Sequence, residues 1–203
     1  MFNKVIKIIF TSCIIYLVIF FNTGCEKKFP LNKNLTSKNY PFFNQDSIKT
    51  EFTQVIKGKV TVIGFIYTNC PDICPMTTHN MYLTQRRLND EGITDVNFVG
   101  VTFDPHRDYP SILKKFGQIR NVDFSIWTFL WGDDTTTDKL LERFDVRTIM
   151  TDSMKINGEL NYTIMHTDRI SLISKDGRLK KNYKGSTVDL EELYTDIIYL
   201  RDD

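Results

Sequence analysis

The sequence predicts an α/β fold, a three-layer α/β/α sandwich on a mixed sheet that ends in a β-hairpin. Three observations predict it. Residues 59–67 (KVTVIGFIY) and 96–103 (VNFVGVTF) are near-continuous β-branched and aromatic runs, the composition of strands buried on both faces. Each run is followed by a segment with helical apolar spacing, the alternation that builds parallel α/β units. Near the C-terminus, two strand-like runs flank Lys175-Asp176-Gly177, a sequence suited to a hairpin turn.

The elements follow in chain order. Weak strand signals at residues 42–43 and 52–56 open the domain, and the strand at 59–67 comes next. Residues 75–88 read as a helix with Met76, Met81, Leu83 and Leu88 on or near one face. The strand at 96–103 is closed by Asp104-Pro105, and a helix over 109–116 tolerates Pro110 in its first turn. A short strand is expected at 126–130, and a helix at 134–144 is amphipathic through Leu140, Leu141 and Phe144. Strands at 169–174 and 178–183 form the hairpin. A final helix runs to residue 200, with Thr187 as its N-cap and Glu191 and Glu192 in its early turns. Trp127, Trp131 and the many Phe residues are read as core. The order β-α-β-α-β-α-β-β-α is that of thioredoxin-like folds. The chain contains no alanine, so its helices depend on tertiary burial more than on intrinsic propensity.

The 203 residues hold one ordinary domain with a few tens of residues to spare. Lys4 and Lys7 precede an apolar run over residues 8–21, too short to span a bilayer comfortably but suited to a signal-peptide core. Small residues then lead to Cys25, which resembles a lipoprotein cleavage site, although Asn22 stands where leucine is usual. Residues 1–24 are thus expected to be a lipoprotein signal peptide and Cys25 a lipidated N-terminus. An uncleaved membrane anchor is the alternative. Polar residues 26–40 are expected to form a linker, and residues 41–203 the domain. The domain would then lie outside the cytoplasm, held at a membrane, on the periplasmic side in a Gram-negative bacterium. Removing Lys4 and Lys7 leaves 24 basic against 25 acidic side chains, which gives nucleic acid no basic face to bind.

Of four cysteines, Cys13 lies in the leader and Cys25 at the cleavage site, which leaves Cys70 and Cys74 for the domain. They sit where a buried strand hands over to a helix, an edge where backbone N–H groups and the helix dipole favour thiolate. A spacing of four brings both sulfurs to one side of a helical turn. Two thiolates are soft donors for Cu(I) or zinc, and an imidazole would complete a three-coordinate copper site. The pair alone is equally consistent with a disulfide, the default in an oxidising compartment.

The segment Tyr67-Thr68-Asn69-Cys70-Pro71-Asp72-Ile73-Cys74-Pro75 resembles the signature of the Sco/SenC family. Val101-Thr102-Phe103-Asp104-Pro105, with Arg107, Asp108 and Pro110 following, resembles a second family segment. Residues 162–173 (YTIMHTDRISLI) resemble a third, and the likeness covers roughly residues 41–200. The resemblance implies a membrane-tethered, thioredoxin-fold copper protein that helps to assemble the copper site of cytochrome c oxidase. It also implies His166 as third copper ligand beside Cys70 and Cys74, with an oxidase subunit or another copper protein receiving the metal. Three positions depart from the pattern. Met165 stands where Asp often precedes the ligand histidine, His106 where Glu is common, and Asp168-Arg169 where an apolar pair is usual.

His79 lies on the helix after the cysteines and is expected to point away from them. His106 follows the 96–103 strand at the same sheet edge and is the rival to His166, with a solvated loop position as the simpler reading. Met165 is read as core filling or as a weak fourth donor. Asp104 and Asp108 are candidates for orienting the cysteine loop from outside the ligand set, or else for capping the next helix. Copper delivery competes with thiol–disulfide exchange through Cys70 and Cys74, and with redox or copper sensing. Thioredoxin-type oxidoreductases carry a cis-proline opposite the cysteine pair. Here every proline lies at or before Pro110, and Ile164-Met165-His166 stands in that place. The CxxxC spacing likewise favours copper over general disulfide exchange. A dedicated reductase for one partner's copper-ligand thiols remains open.

Overall fold

The computed structural model describes residues 29–156 and 159–203; the expected signal peptide, Cys25 and the first linker residues lie outside them. Its centre is three parallel strands, β4 (Val60–Ile66), β5 (Val96–Thr102) and β6 (Trp127–Trp131). Every side chain of β4 is buried, as a strand covered on both faces requires. On one side β9 (Ile170–Ile173) runs antiparallel to β4, and β10 (Arg178–Tyr183) returns antiparallel to β9. Gly177 closes that hairpin at a φ of +75°, and a Cβ there would collide with Thr36. On the other side β2 (Pro41–Asn44) pairs antiparallel with β6, and β3 (Lys49–Glu51) pairs with β2.

Among the described residues the sheet has eight strands, because β1 (Lys33–Asn34) adds to β10 at the far edge. Part of the stretch expected as linker over 26–40 thus lies in the sheet. Leu31 and Leu35 donate backbone hydrogen bonds to Lys180 and Gly177, and Leu35 is buried. A stretch with few apolar residues reads as tether in sequence, yet Leu35 is buried, Phe29 and Leu31 pack against the core, and the backbone pairs with β10.

Helices cover both faces. The alternation of β4 and β5 turns Gly64 toward α2 (Ile73–Asp90) and Phe65 the opposite way. α3 (Pro110–Ile119) lies on the α2 face, where Gly117 sits against the Phe129 ring, and α5 (Leu190–Asp202) packs beside α2. The opposite face receives Phe144, from the end of α4 (Asp134–Arg143), against Phe65 and against Phe52 of α1 (Phe52–Ile56). This is the expected three-layer thioredoxin-like sandwich with a mixed sheet and C-terminal hairpin.

Three local expectations are corrected. Residues 52–56 form α1 and no strand: Glu51 and Gln54 make a reciprocal capping box, and Phe52 and Ile56 bury one helical face. The last helix is capped by Asp189, whose Oδ1 accepts from the amides of Glu191 and Glu192, while Thr187 ends a 3₁₀ turn (Gly185–Thr187). Residues 148–166, assigned no element in advance, form β7 (Thr148–Ile156) and β8 (Glu159–His166), a hairpin outside the main sheet. Among the described residues, no helix is long and apolar enough to cross a membrane.

Candidate metal centre

After β4 the chain leaves the sheet through Tyr67, Thr68 and Asn69, and the Cys70 amide closes a turn by donating to the Tyr67 carbonyl at 3.3 Å. Cys70 is half-buried, Cys74 is fully buried in the first turn of α2, and both are free thiols. Backbone amides aim at both sulfurs. Cys74 N–H donates to Cys70 Sγ at 3.4 Å, and Tyr67 N–H donates to Cys74 Sγ at 3.5 Å. Such donors stabilise sulfur carrying negative charge.

His166 enters from the end of β8, with its Nε2 3.3 Å from Cys74 Sγ. The two sulfurs and an imidazole nitrogen lie within 4.8 Å of one another. His166 Nδ1 sits 3.1 Å from the Thr167 carbonyl, which can only accept, so Nδ1 carries the proton and Nε2 turns toward the sulfurs. The ring packs on Phe103 at a centroid distance of 4.8 Å and meets Tyr67 edge-on at 6.0 Å.

The protonation pattern follows from geometry. Hydrogen bonding from Cys74 holds the Cys70 thiol down to about 3, against the opposing effect of its burial. The same hydrogen bond, followed by burial, pushes Cys74 up. Hydrogen bonding within the pair thus favours a single shared proton, held nearer Cys74 than Cys70. Burial pushes His166 down, but hydrogen bonding to the Cys70 sulfur and to the Thr167 carbonyl outweighs it, and the net direction is up.

Asp108 accepts from the Thr68 amide at 2.9 Å and from the hydroxyls of Thr68 and Thr102 at 2.5 and 2.6 Å. It thus fixes the loop that carries Cys70 and does not cap α3, whose N-cap Tyr109 has no side-chain hydrogen bond. Asp104 reaches the other arm of the site. Its Oδ1 accepts from the Tyr162 hydroxyl of β8, and its Oδ2 from Arg107 Nε, each at 2.5 Å. The remaining histidines stand apart. His79 is exposed beside Tyr82, and His106 is exposed with its Nε2 3.1 Å from Asp134.

Met165 is 64% exposed, so its reading as core filling is corrected. Along β8 alternate residues face the domain, and Tyr162, Ile164 and His166 take those places. The same alternation, visible in YTIMH, could have revealed Tyr162 as a site residue from sequence. Tyr67 and Phe103 lie in apolar runs and carry no such signal. A groove of about 310 Å³ opens beside Cys70, walled by Tyr67, Pro71, Ile73, Ile164 and Met165.

The donor chemistry suits a soft or borderline cation. Two sulfurs and one imidazole nitrogen, its other nitrogen bonded to a carbonyl, match the ligand preferences of copper and of zinc. Loading such a donor set requires that the ligand thiols give up their protons.

A family model described as SCO1/SenC matches residues 30–200. A SCO1 protein homolog of Bacillus subtilis (strain 168) is 34% identical over 182 residues, 90% of this chain and 89% of the relative. The structure of a SCO1/SenC family lipoprotein from Bacillus anthracis str. Ames superimposes with a TM-score of 0.70 at 30% identity. That likeness covers 86% of this chain and 98% of the other. Copper-bound ScoI of Bradyrhizobium japonicum superimposes with a TM-score of 0.68 at 25% identity, over 80% of this chain and 98% of that one.

Proposed function

Because the chain belongs to the SCO1/SenC family, we propose that it carries copper between Cys70 Sγ, Cys74 Sγ and His166 Nε2 for assembly of the copper site of cytochrome c oxidase. The observation that carries this reading is the convergence of the three donor atoms within 4.8 Å, with the Nδ1 of His166 already engaged by a carbonyl. Copper supplies a soft centre exchangeable between thiolate sites. The chain's own residues give it a thiolate at Cys70, a buried thiol at Cys74 that must release its proton, and an imidazole held by β8. The half-buried Cys70 and the groove beside it form the side from which a partner's donor would approach.

The proposal extends to placement. Cys25 would carry the lipid, and the domain would work outside the cytoplasm at a membrane. The likeness to a protein described as a lipoprotein supports this part. The receiving partner would be an oxidase subunit or another copper protein.

X-ray absorption on the copper-loaded protein should show two sulfur scatterers and one nitrogen. His166→Ala should lose the nitrogen and weaken Cu(II) binding at least tenfold, a change of about 1.4 kcal/mol. Absence of sulfur scattering, or binding untouched by the substitution, would overturn the assignment. One observation favours a second reading, reduction of a partner's ligand thiols. Both cysteines are free, and the more exposed one is the thiolate, the arrangement of an attacking nucleophile. A purified oxidase fragment in two redox states separates them: reduction of its oxidised cysteine pair by the copper-free protein, which leaves Cys70 and Cys74 joined as a disulfide, supports the second reading, and copper transfer to its reduced pair without thiol exchange supports the first.

A further inference from the structure

His166 is not part of the main sheet. Among the described residues β7 and β8 pair only with each other, so the imidazole is carried on a two-stranded arm beside the domain. A lone hairpin is marginal in water, and something must hold this one in place. Its outer side does not, since Ile149, Met154 and Met165 are all more than half exposed.

The strongest tie is polar. The Tyr162 side chain is buried, and its hydroxyl donates to Asp104 Oδ1 at 2.5 Å. Asp104, also buried, takes Arg107 Nε on its other oxygen. Arg107 closes the circuit by donating from Nη1 to the Tyr162 carbonyl at 2.9 Å, with its guanidinium 3.6 Å over the Tyr162 ring. One weaker tie runs from the Ile164 amide to the Tyr67 hydroxyl at 3.3 Å. Asp104 and Arg107 belong to the loop after β5, so the circuit joins the arm to the main sheet four residues from His166.

We propose that Tyr162, Asp104 and Arg107 form a latch that positions His166 and gives the site two states. Latched, the site offers two sulfurs and a nitrogen; unlatched, the two sulfurs alone. The two-state part rests on the copper reading above. Two thiolates suffice for soft Cu(I), whereas Cu(II) draws on the imidazole, so the latch decides which oxidation state the site holds well. The unlatched state is the one from which Cu(I) passes to a partner's soft donors. Tyr162 acts through His166 and is a positioning residue.

Tyr162→Phe removes one hydroxyl from the circuit. In the metal-free protein, amide hydrogen exchange across β7 and β8 should quicken about tenfold, the scale of one charge-assisted hydrogen bond, while β4 and β5 keep their rates. Arg107→Lys, which cannot form the same fork, should give the same confined pattern and guards against a misfolded first variant. After copper loading, Tyr162→Phe should weaken the nitrogen hyperfine signature of Cu(II) and leave Cu(I) affinity within about threefold. Unchanged exchange in the hairpin, or equal acceleration throughout the molecule in both variants, overturns the latch. Confined acceleration in a protein whose wild type binds no copper upholds the latch and overturns the copper reading and the two states built on it.

Discussion

Cys70 and Cys74 are four residues apart, yet their surroundings divide the labour between them. Cys74 is sealed beneath the first turn of α2, and Cys70 borders an open groove. The shared proton stays on the sealed sulfur: hydrogen bonding within the pair, then burial, raises Cys74, whereas the same hydrogen bonding lowers Cys70 against its burial. This has a consequence for pH. An ordinary cysteine, near 8.5, loses thiolate about tenfold per unit as pH falls through the neutral range. With Cys70 held at about 3, its alkylation rate in the reduced, metal-free protein should stay nearly level between about pH 5 and 8. Mass-spectrometric alkylation at each pH checks this, and a tenfold fall per unit at Cys70 would refute it. Stability follows the same sign. Between the folded and unfolded values the folded chain binds fewer protons at Cys70. That contribution is present above the unfolded value and fades as pH drops toward 3. The two aspartates belong to this scale as well. Their role was legible only as a pair of alternatives, since sequence shows that Asp108 precedes a helix and not that Thr68 lies across from it.

Among the elements, β4 and β5 lead into the loops that hold Cys70 and Asp104, and two glycines, Gly64 and Gly100, pair across them. A Cβ at Gly100 would lie 2.6 Å from the Phe129 ring, and one at Gly64 would lie 2.6 Å from Met81 Sδ. The distances match but the neighbours differ. Phe129 is locked between Phe116 and Trp127, whereas a methionine chain can turn aside. Gly100→Ala should therefore cost about 1–3 kcal/mol, as overpacking does, and Gly64→Ala clearly less. Denaturant midpoints of the two variants provide the measurement, and equal losses would remove the argument. The central strands and the helices after them were readable because their apolar spacing is a local property. The β7–β8 hairpin was not, because its strands mix polar side chains with exposed apolar ones such as Ile149, Met150 and Met154, and only Tyr162 among its described apolar residues is buried.

For the whole molecule, the cooperative unit begins before residue 41. Leu35 is buried over the turn between β9 and β10, and β1 covers the outer edge of β10. Leu35→Ala should cost about 2–5 kcal/mol, the range for a buried leucine. A chain starting at residue 41 should unfold at lower denaturant than one starting at residue 29, and coincident unfolding curves would exclude residues 31–35 from the unit. By itself the sequence determined the layered α/β architecture, the strand-to-helix junction that presents Cys70 and Cys74, and the motif likeness that singled out His166. Each of these is written in short-range spacing, where side-chain period and residue type act directly on the backbone. Only the tertiary structure decided that Leu35 joins the core and that Asp108 fixes the cysteine loop. It alone placed His166 on an arm tied by Tyr162 to Asp104 and Arg107, because those contacts join residues 40 to over 100 positions apart and leave no local period to read.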